Sequence, residues 1–352
     1  MKSNLKIFSN IKINISNTDY FNLINLTSGI YSPLKKFCNL KESNSIIYKK
    51  KFNKNKWTIP ILLNYKNKKK LDIGLNYFLY FEKKKVGFIS LESCFKLKKK
   101  IYAQKIFGTI STSHPSVKNF YKEPNFYISG KPFIYKNKAP KDKYFLLNNK
   151  KIIFSKKTRN YICFTTRNVC HLGHKHILET LHKKKNKFLI FYLQSEKNKY
   201  NPSDVIKSYK ITFKKNKFYG SKIFKLFIPS LMAGPREAYF QACILNNLKF
   251  KKFIIGRDHA GFRNFYSKYS SQKEFKKNDS LMIKIIKTRE PLMCSECKKI
   301  SSKKIFNCKC KGKKKLITID GTKVRKLIKS KNFPHLSNLL DKDVLSYLLK
   351  RP

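Results

Sequence analysis

The amino-acid sequence predicts an α/β fold, in which a β-rich N-terminal domain precedes a Rossmann-like α/β domain with a parallel sheet. Three observations lead to this prediction. Short β-branched and aromatic runs, bounded by Lys, Asn or Gly, recur through roughly the first 150 residues. From about residue 152, apolar strand-like segments alternate with helix-like ones, which is typical of a parallel sheet covered on both faces. A Cys-rich stretch, 294–310, interrupts that alternation and predicts a small insertion.

The individual elements follow from these patterns. In the first part of the chain, strands are predicted over 57–65, 76–81 and 86–91. In the second part, strands are predicted over 161–165, 188–193, 222–228 and 252–256, and helices over 174–183 and 237–248. Because ligands bind beyond the carboxyl ends of parallel strands, the loops that follow these strands are the expected functional positions.

The 352 residues are expected to form four regions. These are a β-rich domain (1–150), a catalytic α/β domain (151–290), a Cys-rich insertion (291–312) and a C-terminal helical segment (313–352) that completes the catalytic region.

The strongly basic composition does not by itself indicate a partner. Lys and Arg number 80 against 19 Asp and Glu, a formal net charge of +61. Lys accounts for 72 of these cations and is scattered through the chain beside abundant Asn, Ile, Phe and Tyr, residues that share A/T-rich codons. A biased genome accounts for such a composition, so no specific nucleic-acid partner is predicted.

No part of the sequence indicates a membrane or a secretory pathway. No apolar run approaches the roughly 18 residues of a membrane span, and the first residues contain no continuous apolar segment of the kind found in signal peptides. Nine Cys in a chain of this length fit a reducing compartment. A cytoplasmic location without membrane contact is therefore expected.

The first loop whose residues are suited to binding or catalysis is TTRNVCHLGH (165–174), between a predicted strand and a predicted helix. His171 and His174 lie at i and i+3 in the first helical turn and face the same way. They add imidazole donors to a helix N-terminus that already favours anions. The arrangement suits nucleotidyl transfer, in which charge grows on phosphoryl oxygens; the alternative is a pair of surface or packing histidines.

Two more loops share this strand-to-helix or strand-end setting. PSLMAGPREA (229–238) carries Pro235 near a helix start and Glu237 in the first turn, and alone it predicts only a helix N-terminus. GRDHAG (256–261) begins where a strand ends, so that Arg257 is placed to hold phosphate or sulfate with two hydrogen bonds. The alternative for this loop is an internal Arg–Asp pair.

Together, the three loops resemble those of the ATP sulfurylase (sulfate adenylyltransferase) family in order and in approximate spacing. GTKVRKLI (321–328) resembles the family's late GTxxR element. The stretches SGIYSPLKKF (28–37), WTIPILL (57–63) and FGTISTSHPSVKNFY (107–121) resemble its PUA-like domain and the segment leading out of it. The resemblance spans roughly residues 26–350 and implies a PUA-like domain followed by a nucleotidyltransferase domain, without a fused kinase.

The resemblance implies that sulfate attacks the α-phosphorus of ATP, so that pyrophosphate leaves and adenosine 5′-phosphosulfate forms, in a reversible reaction whose physiological direction stays open. Catalytic roles are implied for Thr166, Arg167, Asn168, His171 and His174. ATP contacts are implied for Arg167, Asn168, Gly256, Arg257, Asp258 and His259, and sulfate contacts for Thr165, Arg167 and Ala260. Mg²⁺ is implied as the companion of ATP, and a homo-oligomer is common in the family.

The sequence departs from the family pattern in three places. Thr165 stands where the family has Gln, Val169 and Cys170 stand where it has Pro, and 230–232 replace a Met-Arg-Tyr-like run. The loss of an Arg beside two bound anions costs about a few kcal/mol unless another cation replaces it, so weakened activity is expected. Four of the eight Arg nevertheless lie within the family-like stretches, where anion recognition or fixed geometry requires a guanidinium: Arg167, Arg236, Arg257 and Arg325.

A cysteine cluster predicts a structural metal site. Cys294 and Cys297 form a CxxC pair, and Cys308 and Cys310 form a CxC pair after ten intervening residues. Four thiolates at this spacing can close a tetrahedral Zn²⁺ site on a small ribbon, leaving no open position for catalysis. The alternative is a set of ordinary thiols; the other five cysteines are isolated and are expected to be packing residues.

Other functions compete with the transferase hypothesis. HLGH resembles the HIGH element of class I aminoacyl-tRNA synthetases, but no KMSKS-like loop follows. A noncatalytic, basic nucleic-acid-binding remnant and another HxxH nucleotidyltransferase are the remaining alternatives. Sulfate-dependent release of pyrophosphate from ATP separates these possibilities.

Overall fold

The structure is a computed structural model that describes residues 7–67, 69–135, 147–148, 151–152, 156–183, 185–193, 200–304, 306–308, 310, 315–319, 321–330 and 333–350. Its contacts divide the chain into two compact units. The first comprises Met1–Ser155, Ile228–Lys249 and Asp258–Ile283, and the second comprises Lys156–Phe227, Phe250–Arg257 and Lys284–Pro352.

The first unit is built on a five-stranded sheet. Its strands are β1 (Ile13–Asn14), β4 (Leu63–Asn64), β5 (Asn76–Phe81), β6 (Lys84–Phe95) and β7 (Tyr127–Ile134). They are arranged in the order β1-β5-β6-β7-β4, with β1 parallel to β5 and the other pairs antiparallel. Two short ribbons pair β2 (Lys51–Phe52) with β3 (Asn55–Lys56) and β8 (Leu147–Asn148) with β9 (Lys151–Ile152).

Six helices belong to the first unit: α1 (Asn17–Thr27), α2 (Leu40–Lys49), α3 (Lys99–Phe107), α4 (Pro115–Lys122), α8 (Pro235–Asn247) and α9 (Ser270–Lys273). Helices α1 and α2 both begin with a capping box, formed by Ser16 with Asp19 and by Asn39 with Glu42. Helix α8 begins with Pro235 at its first turn, as predicted, and its residues 236–245 are all buried.

The predicted strands of the first unit are confirmed in part. Strand β5 has the predicted bounds, and the predicted 86–91 lies within β6. The prediction of a strand over 57–65 is wrong, because only Leu63–Asn64 of that run is a strand. Trp57 is buried and its indole N–H donates to the carbonyl of Ile59 at 2.7 Å, so this run is apolar because it lies in the core.

The second unit contains the predicted parallel sheet. Its strands are β10 (Ile162–Thr166), β11 (Phe188–Leu193), β12 (Lys222–Leu226), β13 (Lys252–Ile255) and β14 (Lys284–Lys287). All neighbours are parallel, in the order β12-β11-β10-β13-β14. Every residue of β11 is buried, as the continuous apolar run predicts for a central strand of a covered sheet.

The helices of the second unit are α5 (Lys156–Arg159), α6 (Leu172–His182), α7 (Pro202–Lys215), α10 (Gly321–Lys329), α11 (Phe333–Ser337) and α12 (Lys342–Leu349). Ile190 of β11, Tyr209 of α7 and Val324 of α10 belong to one buried apolar cluster. The C-terminal helices are thereby part of the same core as the parallel sheet.

The Cys-rich stretch forms a separate antiparallel sheet, as the interruption of the α/β pattern predicts. Its strands are β15 (Leu292–Cys294), β16 (Ile300–Ser301) and β17 (Leu316–Thr318), in the order β16-β15-β17. This small sheet follows β14 and precedes α10.

Candidate active site

The parallel sheet reverses its strand order between β10 and β13. Strands β11 and β12 lie on one side of β10, whereas β13 and β14 lie on the other. Ile162 pairs with Lys252, so Thr166 and Gly256, each four residues further on, lie at the same edge of the sheet. Open α/β sheets bind ligands in the crevice at such a reversal. The loops 165–174 and 256–261 both begin there.

A tight turn follows β10. Thr165 and Thr166 are buried at the strand end, and the Thr166 hydroxyl accepts a hydrogen bond from the Asn168 N–H at 3.1 Å. Arg167, between Thr166 and Asn168, is partly buried. The side-chain oxygen Oδ1 of Asn168 accepts a hydrogen bond from Nη1 of Arg325 in α10. The structure therefore joins the first predicted loop to the GTxxR element.

The two histidines of the loop are stacked at the start of α6. His171 is the N-cap, and its Nδ1 accepts the backbone N–H of His174 at 3.3 Å. The ring centroids are 3.8 Å apart, which confirms that both histidines face the same way. Because Nδ1 of His171 is an acceptor, the neutral ring carries its proton on Nε2 and is a donor there. The phenol oxygen of Tyr209 lies 2.8 Å from Nδ1 of His174.

Gly173, between the histidines, is closely packed. A Cβ at this position would lie 3.1 Å from Nδ1 of His171 and 3.1 Å from the carbonyl oxygen of Ile319. Ile319 directly follows β17 of the Cys-rich sheet. The HLGH sequence thus lets both a histidine ring and a distant backbone segment approach the helix start.

In the loop 256–261, Arg257 directly follows Gly256. Nε of Arg257 lies 3.3 Å from Oε1 of Glu290, and the two side chains are 23% and 13% exposed. Apart from its chain neighbours, no described residue has a heavy atom within 4 Å of the position that a Cβ on Gly256 would take. The Arg257 guanidinium is thus held by a carboxylate beside open space at the strand end. Glu290 is an ion-pair partner of Arg257.

The remaining residues of GRDHAG belong to the first unit, where His259 ends a buried chain of hydrogen bonds. Nε2 of His259 lies 2.8 Å from Oε1 of Gln241, whose Nε2 donates to Oε1 of Glu237 at 3.0 Å. The other carboxylate oxygen of Glu237 accepts the N–H of Ala233 at 3.0 Å. Since the amide of Gln241 donates to the carboxylate, its oxygen faces the imidazole, and Nε2 of His259 is the donor.

Backbone contacts tie GRDHAG to AGPREA within this unit. The carbonyl of Ala260 accepts the N–H of Gly234 at 3.0 Å. Ala260 has φ +58°, a left-handed conformation that is unfavourable for a residue with a Cβ. A Cβ on Gly234 would lie 2.6 Å from the ring of Tyr266, and a Cβ on Gly261 would overlap the carboxylate of Asp258. Both glycines are therefore needed for packing.

Arg236 of AGPREA has a structural role. It is buried, and its guanidinium donates to the backbone carbonyls of Ile46, Ile47 and Thr58 at 3.1, 2.7 and 3.1 Å. It therefore fixes helix α8 to α2 and to the segment after β3, within the first unit. Of the two roles considered for the motif arginines, fixed geometry applies to Arg236.

Two of the departures from the family pattern are accommodated, one by burial and the other by hydrogen bonds. Val169 and Cys170, in place of Pro, lie in the apolar core. Burial raises the pKa of Cys170 to about 12, so this residue is a protonated thiol and not a nucleophile. The carbonyl of Met232 contacts Nε2 of His114 at 3.0 Å and accepts the Tyr266 hydroxyl at 2.9 Å. These contacts hold Met232 at φ +56°.

The four clustered cysteines come together in space. Their sulfur atoms all lie within 4.8 Å of one another, and those of Cys308 and Cys310 lie 3.8 and 3.9 Å from that of Cys294. Zn–S bonds of about 2.3 Å place the sulfurs of a tetrahedral site about 3.8 Å apart. The backbone N–H of Cys297 lowers the pKa of Cys294 to about 7. The donor set therefore fits a Zn²⁺ ion.

Three supporting contacts were not predicted from the sequence: Tyr209 with His174, Gln241 with His259, and Arg325 with Asn168. The GTxxR spacing singles out Arg325 but not its partner, which lies 157 residues away. Tyr209 and Gln241 lie within helices α7 and α8 and belong to none of the motifs. Only the fold brings these pairs together.

Comparison with known proteins tests the resemblance. A model of the ATP-sulfurylase family matches residues 148–350, and a model of a PUA-like domain matches residues 3–136. A curated sulfate adenylyltransferase of Carboxydothermus hydrogenoformans is 30% identical, over 91% of this chain and 86% of that protein. The sulfate adenylyltransferase of Pyrococcus abyssi is 28% identical, over 90% of this chain and 84% of that protein.

A solved structure supports the fold. The chain superimposes on a structure described as a hexameric APS kinase from Thiobacillus denitrificans with a TM-score of 0.66 and 12% identity. The match covers 96% of this chain and 62% of that one. Among the described residues, no helix has both the length and the apolar character to cross a membrane.

These matches confirm the predicted fold class and decide against the aminoacyl-tRNA synthetase alternative. The family model covers more than half of the chain, from the strand end that carries TTRN to the GTxxR helix. The chain belongs to the ATP-sulfurylase family.

Proposed function

We propose that this protein is a sulfate adenylyltransferase, which transfers the AMP moiety of ATP to sulfate. The observation that carries the proposal is the stacked His171–His174 pair at the N-terminus of α6, directly after the central strand β10. An oxygen of sulfate bonds to the α-phosphorus while the bond from phosphorus to the pyrophosphate oxygen breaks. Sulfate is already an anion, so the reaction needs positioning and charge stabilisation more than proton transfer.

The pyrophosphate leaving group is the natural ligand of the α6 N-terminus. Nε2 of His171 donates there, and the first N–H groups of the helix add a positive field. Tyr209 fixes the ring of His174 through Nδ1, which orients its Nε2 for the same role. Both histidines then act on charge that develops as pyrophosphate departs.

The reacting anions require cations and neutral donors on the two strand-end loops. We assign Arg167 to both sulfate and the α-phosphate, and Asn168 to the phosphates, because both lie in the turn after β10. Gly256 and Arg257 are assigned to ATP, with Glu290 holding the guanidinium in place. In the first unit, Asp258 and His259 are assigned to ATP and the backbone of Ala260 to sulfate. Thr165 offers a shorter side chain than Gln for the remaining sulfate contact.

Two metal ions have different roles in this proposal. Mg²⁺ enters with ATP as part of the substrate and neutralises phosphate charge. Zn²⁺ bound by the four cysteines is structural, because four protein ligands leave no position for a substrate. Its role is to hold the turns of the Cys-rich sheet together.

The assembly of the protein is also inferred. We expect a homo-oligomer, which is supported by the hexameric state named for the structurally similar protein. Light scattering on the purified chain measures the mass, and a mass of one chain at micromolar concentration would contradict this expectation. The cytoplasmic location stays a prediction from composition.

The decisive experiment is pyrophosphate release by the purified full-length chain with ATP and Mg²⁺. We expect release that depends on sulfate, and formation of ATP when adenosine 5′-phosphosulfate and pyrophosphate are supplied instead. No sulfate-dependent release in a folded preparation would contradict the proposed function. Salt-sensitive RNA binding without such release would favour the noncatalytic remnant.

A further inference from the structure

We infer that Arg325 and Gly321 of α10 are positioning residues that set the side-chain amide of Asn168 for the transfer. The inference rests on the proposed function and adds two residues to its site. Nη1 of Arg325 donates to Oδ1 of Asn168. Gly321, one turn earlier in the same helix, lies against the same amide.

The guanidinium decides which way the amide points. Arg has only N–H donors, whereas the amide of Asn168 has one oxygen acceptor and one NH₂ donor. With Oδ1 turned to Arg325, the NH₂ group must face the other way. The reverse orientation would place donor against donor. The hydrogen bonds recorded for the described residues include none from Nδ2, and we place its two protons towards a phosphate or sulfate oxygen.

Gly321 acts on the position of the amide. A Cβ on Gly321 would overlap Nδ2, Cγ and Oδ1 of Asn168. The amide cannot move away freely, because Oδ1 accepts a hydrogen bond from Arg325 and the backbone N–H of Asn168 donates one to the Thr166 hydroxyl. Glycine is thus needed because two chain segments approach closely, and its backbone conformation is not the reason.

Arg325 is itself held in place. Its Nη2 donates to Oγ1 of Thr322 at 2.9 Å, and Val324, beside it in α10, is fully buried in the core. One guanidinium therefore joins a rigid helix to the catalytic turn, a geometry that a lysine ammonium cannot reproduce with both partners.

The segment that carries this clamp also supports the histidines. Ile319 precedes α10, and its carbonyl packs on Gly173 between His171 and His174. Ile319 and Arg325 thus contact the loop 165–174 at Gly173 and Asn168, respectively. Residues 316–318 form β17 of the Cys-rich sheet. This sheet therefore anchors the segment that carries both contacts.

A double-mutant cycle tests the inference. In the wild-type background, Arg325→Met removes both donors, and we expect kcat for sulfate-dependent pyrophosphate release to fall about 10- to 100-fold. The dissociation constant for ATP, measured by calorimetry without sulfate, should rise no more than it does in Asn168→Ala, because Arg325 acts on ATP only through Asn168. In the Asn168→Ala background the same substitution should change kcat by less than about threefold, because the group it positions is gone.

Two variants serve as matched controls. Lys326→Met removes an exposed neighbouring cation of the same helix and should leave kcat unchanged. Gly321→Ala should lower kcat in the same way as Arg325→Met, and it provides the test if the latter fails to fold. Thermal unfolding of each variant within a few degrees of the wild type identifies folded proteins.

The outcomes separate this inference from the proposed function. If the wild type releases no pyrophosphate with sulfate, the proposed function fails. If the wild type is active but Arg325→Met keeps full kcat, or loses as much in the Asn168→Ala background, the positioning role is overturned. A loss of ATP affinity clearly larger than that of Asn168→Ala would instead make Arg325 a direct phosphate ligand, and would also overturn the positioning role.

Discussion

The phenol oxygen of Tyr209 lies 2.8 Å from Nδ1 of His174. Burial raises the pKa of Tyr209 well above its ordinary value, so the phenol stays neutral at any working pH. The contact joins α7 to the first turn of α6 and fixes the orientation of an imidazole that stacks on His171. The helix between β11 and β12 therefore contributes directly to the geometry of the loop 165–174.

Tyr209→Phe should lower kcat for pyrophosphate release about tenfold with little change in KM. The substitution keeps the ring but removes the hydrogen bond between the phenol and Nδ1 of the partly buried His174, which contributes about 0.5–1.5 kcal/mol. Steady-state kinetics with ATP and sulfate provide the measurement. Tyr200→Phe is the matched control, because the buried hydroxyl of Tyr200 has no hydrogen-bond partner among the described residues. Equal activity of both variants would contradict the orienting role.

Arg167→Ala should abolish sulfate-dependent pyrophosphate release, by at least about 100-fold, while the fold stays intact. The reason is the loss of a guanidinium beside two anions that repel each other. Circular dichroism and thermal unfolding report on the fold. Arg289→Ala, which removes an exposed arginine outside the loops, should retain full activity. Substantial activity of Arg167→Ala would remove this residue from the mechanism.

The fold of the second unit could be predicted because its signals are local. The run 188–193 is apolar throughout and forms the interior strand β11, with the predicted bounds. The run 57–65 carries a similar signal, yet most of it is buried coil. A short apolar run indicates burial, but it does not show whether the backbone hydrogen bonds go to a neighbouring strand.

The candidate site could likewise be predicted from the sequence only in part. His171 and His174 could be predicted to face one direction because helical spacing determines it. The pairs Asn168–Arg325 and Gln241–His259 join residues 157 and 18 positions apart. Neither the spacing nor the residue types of such pairs differ from those of ordinary surface residues. They depend on packing of the whole fold, which no local pattern contains.

Gln241→Met should raise the KM for ATP about tenfold, with a smaller effect on kcat. The substitution removes the amide that accepts from Nε2 of His259 and donates to Glu237, so His259 loses its fixed orientation. Initial-rate kinetics at varied ATP measure the effect. Cys243→Ala, at another buried position of α8, should lower the melting temperature without changing KM. An unchanged KM in Gln241→Met would show that the buried chain serves stability only.

The purified protein should contain about one zinc per chain. The four sulfur atoms lie within 4.8 Å of one another, and thiolates at this spacing bind Zn²⁺ tightly near neutral pH. Metal analysis measures the stoichiometry, and Cys308→Ser should lower both the zinc content and the melting temperature. Cys94→Ser, at an isolated cysteine, should change neither the zinc content nor the activity. A zinc content near zero would contradict the metal site and show that the four cysteines are ordinary thiols.

Asp341 should contribute to stability at neutral pH and lose that contribution in acid. It caps α12, and its carboxylate accepts hydrogen bonds from Lys175 and Lys215 at 2.8 and 2.7 Å. Burial alone would raise its pKa, but the two lysines outweigh burial and lower the pKa to about 2. A carboxylate whose pKa is lower in the folded state stabilises the fold above its unfolded-state pKa of about 4. The contribution is lost as the pH falls from about 4 towards 2.

Asp341→Asn should therefore lower the free energy of unfolding by about 1–2 kcal/mol at pH 7, and the difference from the wild type should shrink as the pH falls below about 4. Urea denaturation at a series of pH values measures this dependence. Asp343→Asn removes a carboxylate that is 57% exposed and lies 3.1 Å from Lys215, so its effect should stay below about 0.5 kcal/mol. A difference between Asp341→Asn and the wild type that persists unchanged at pH 2 would mean that the charge of Asp341 does not supply the stability, since Asn caps a helix as well as Asp does.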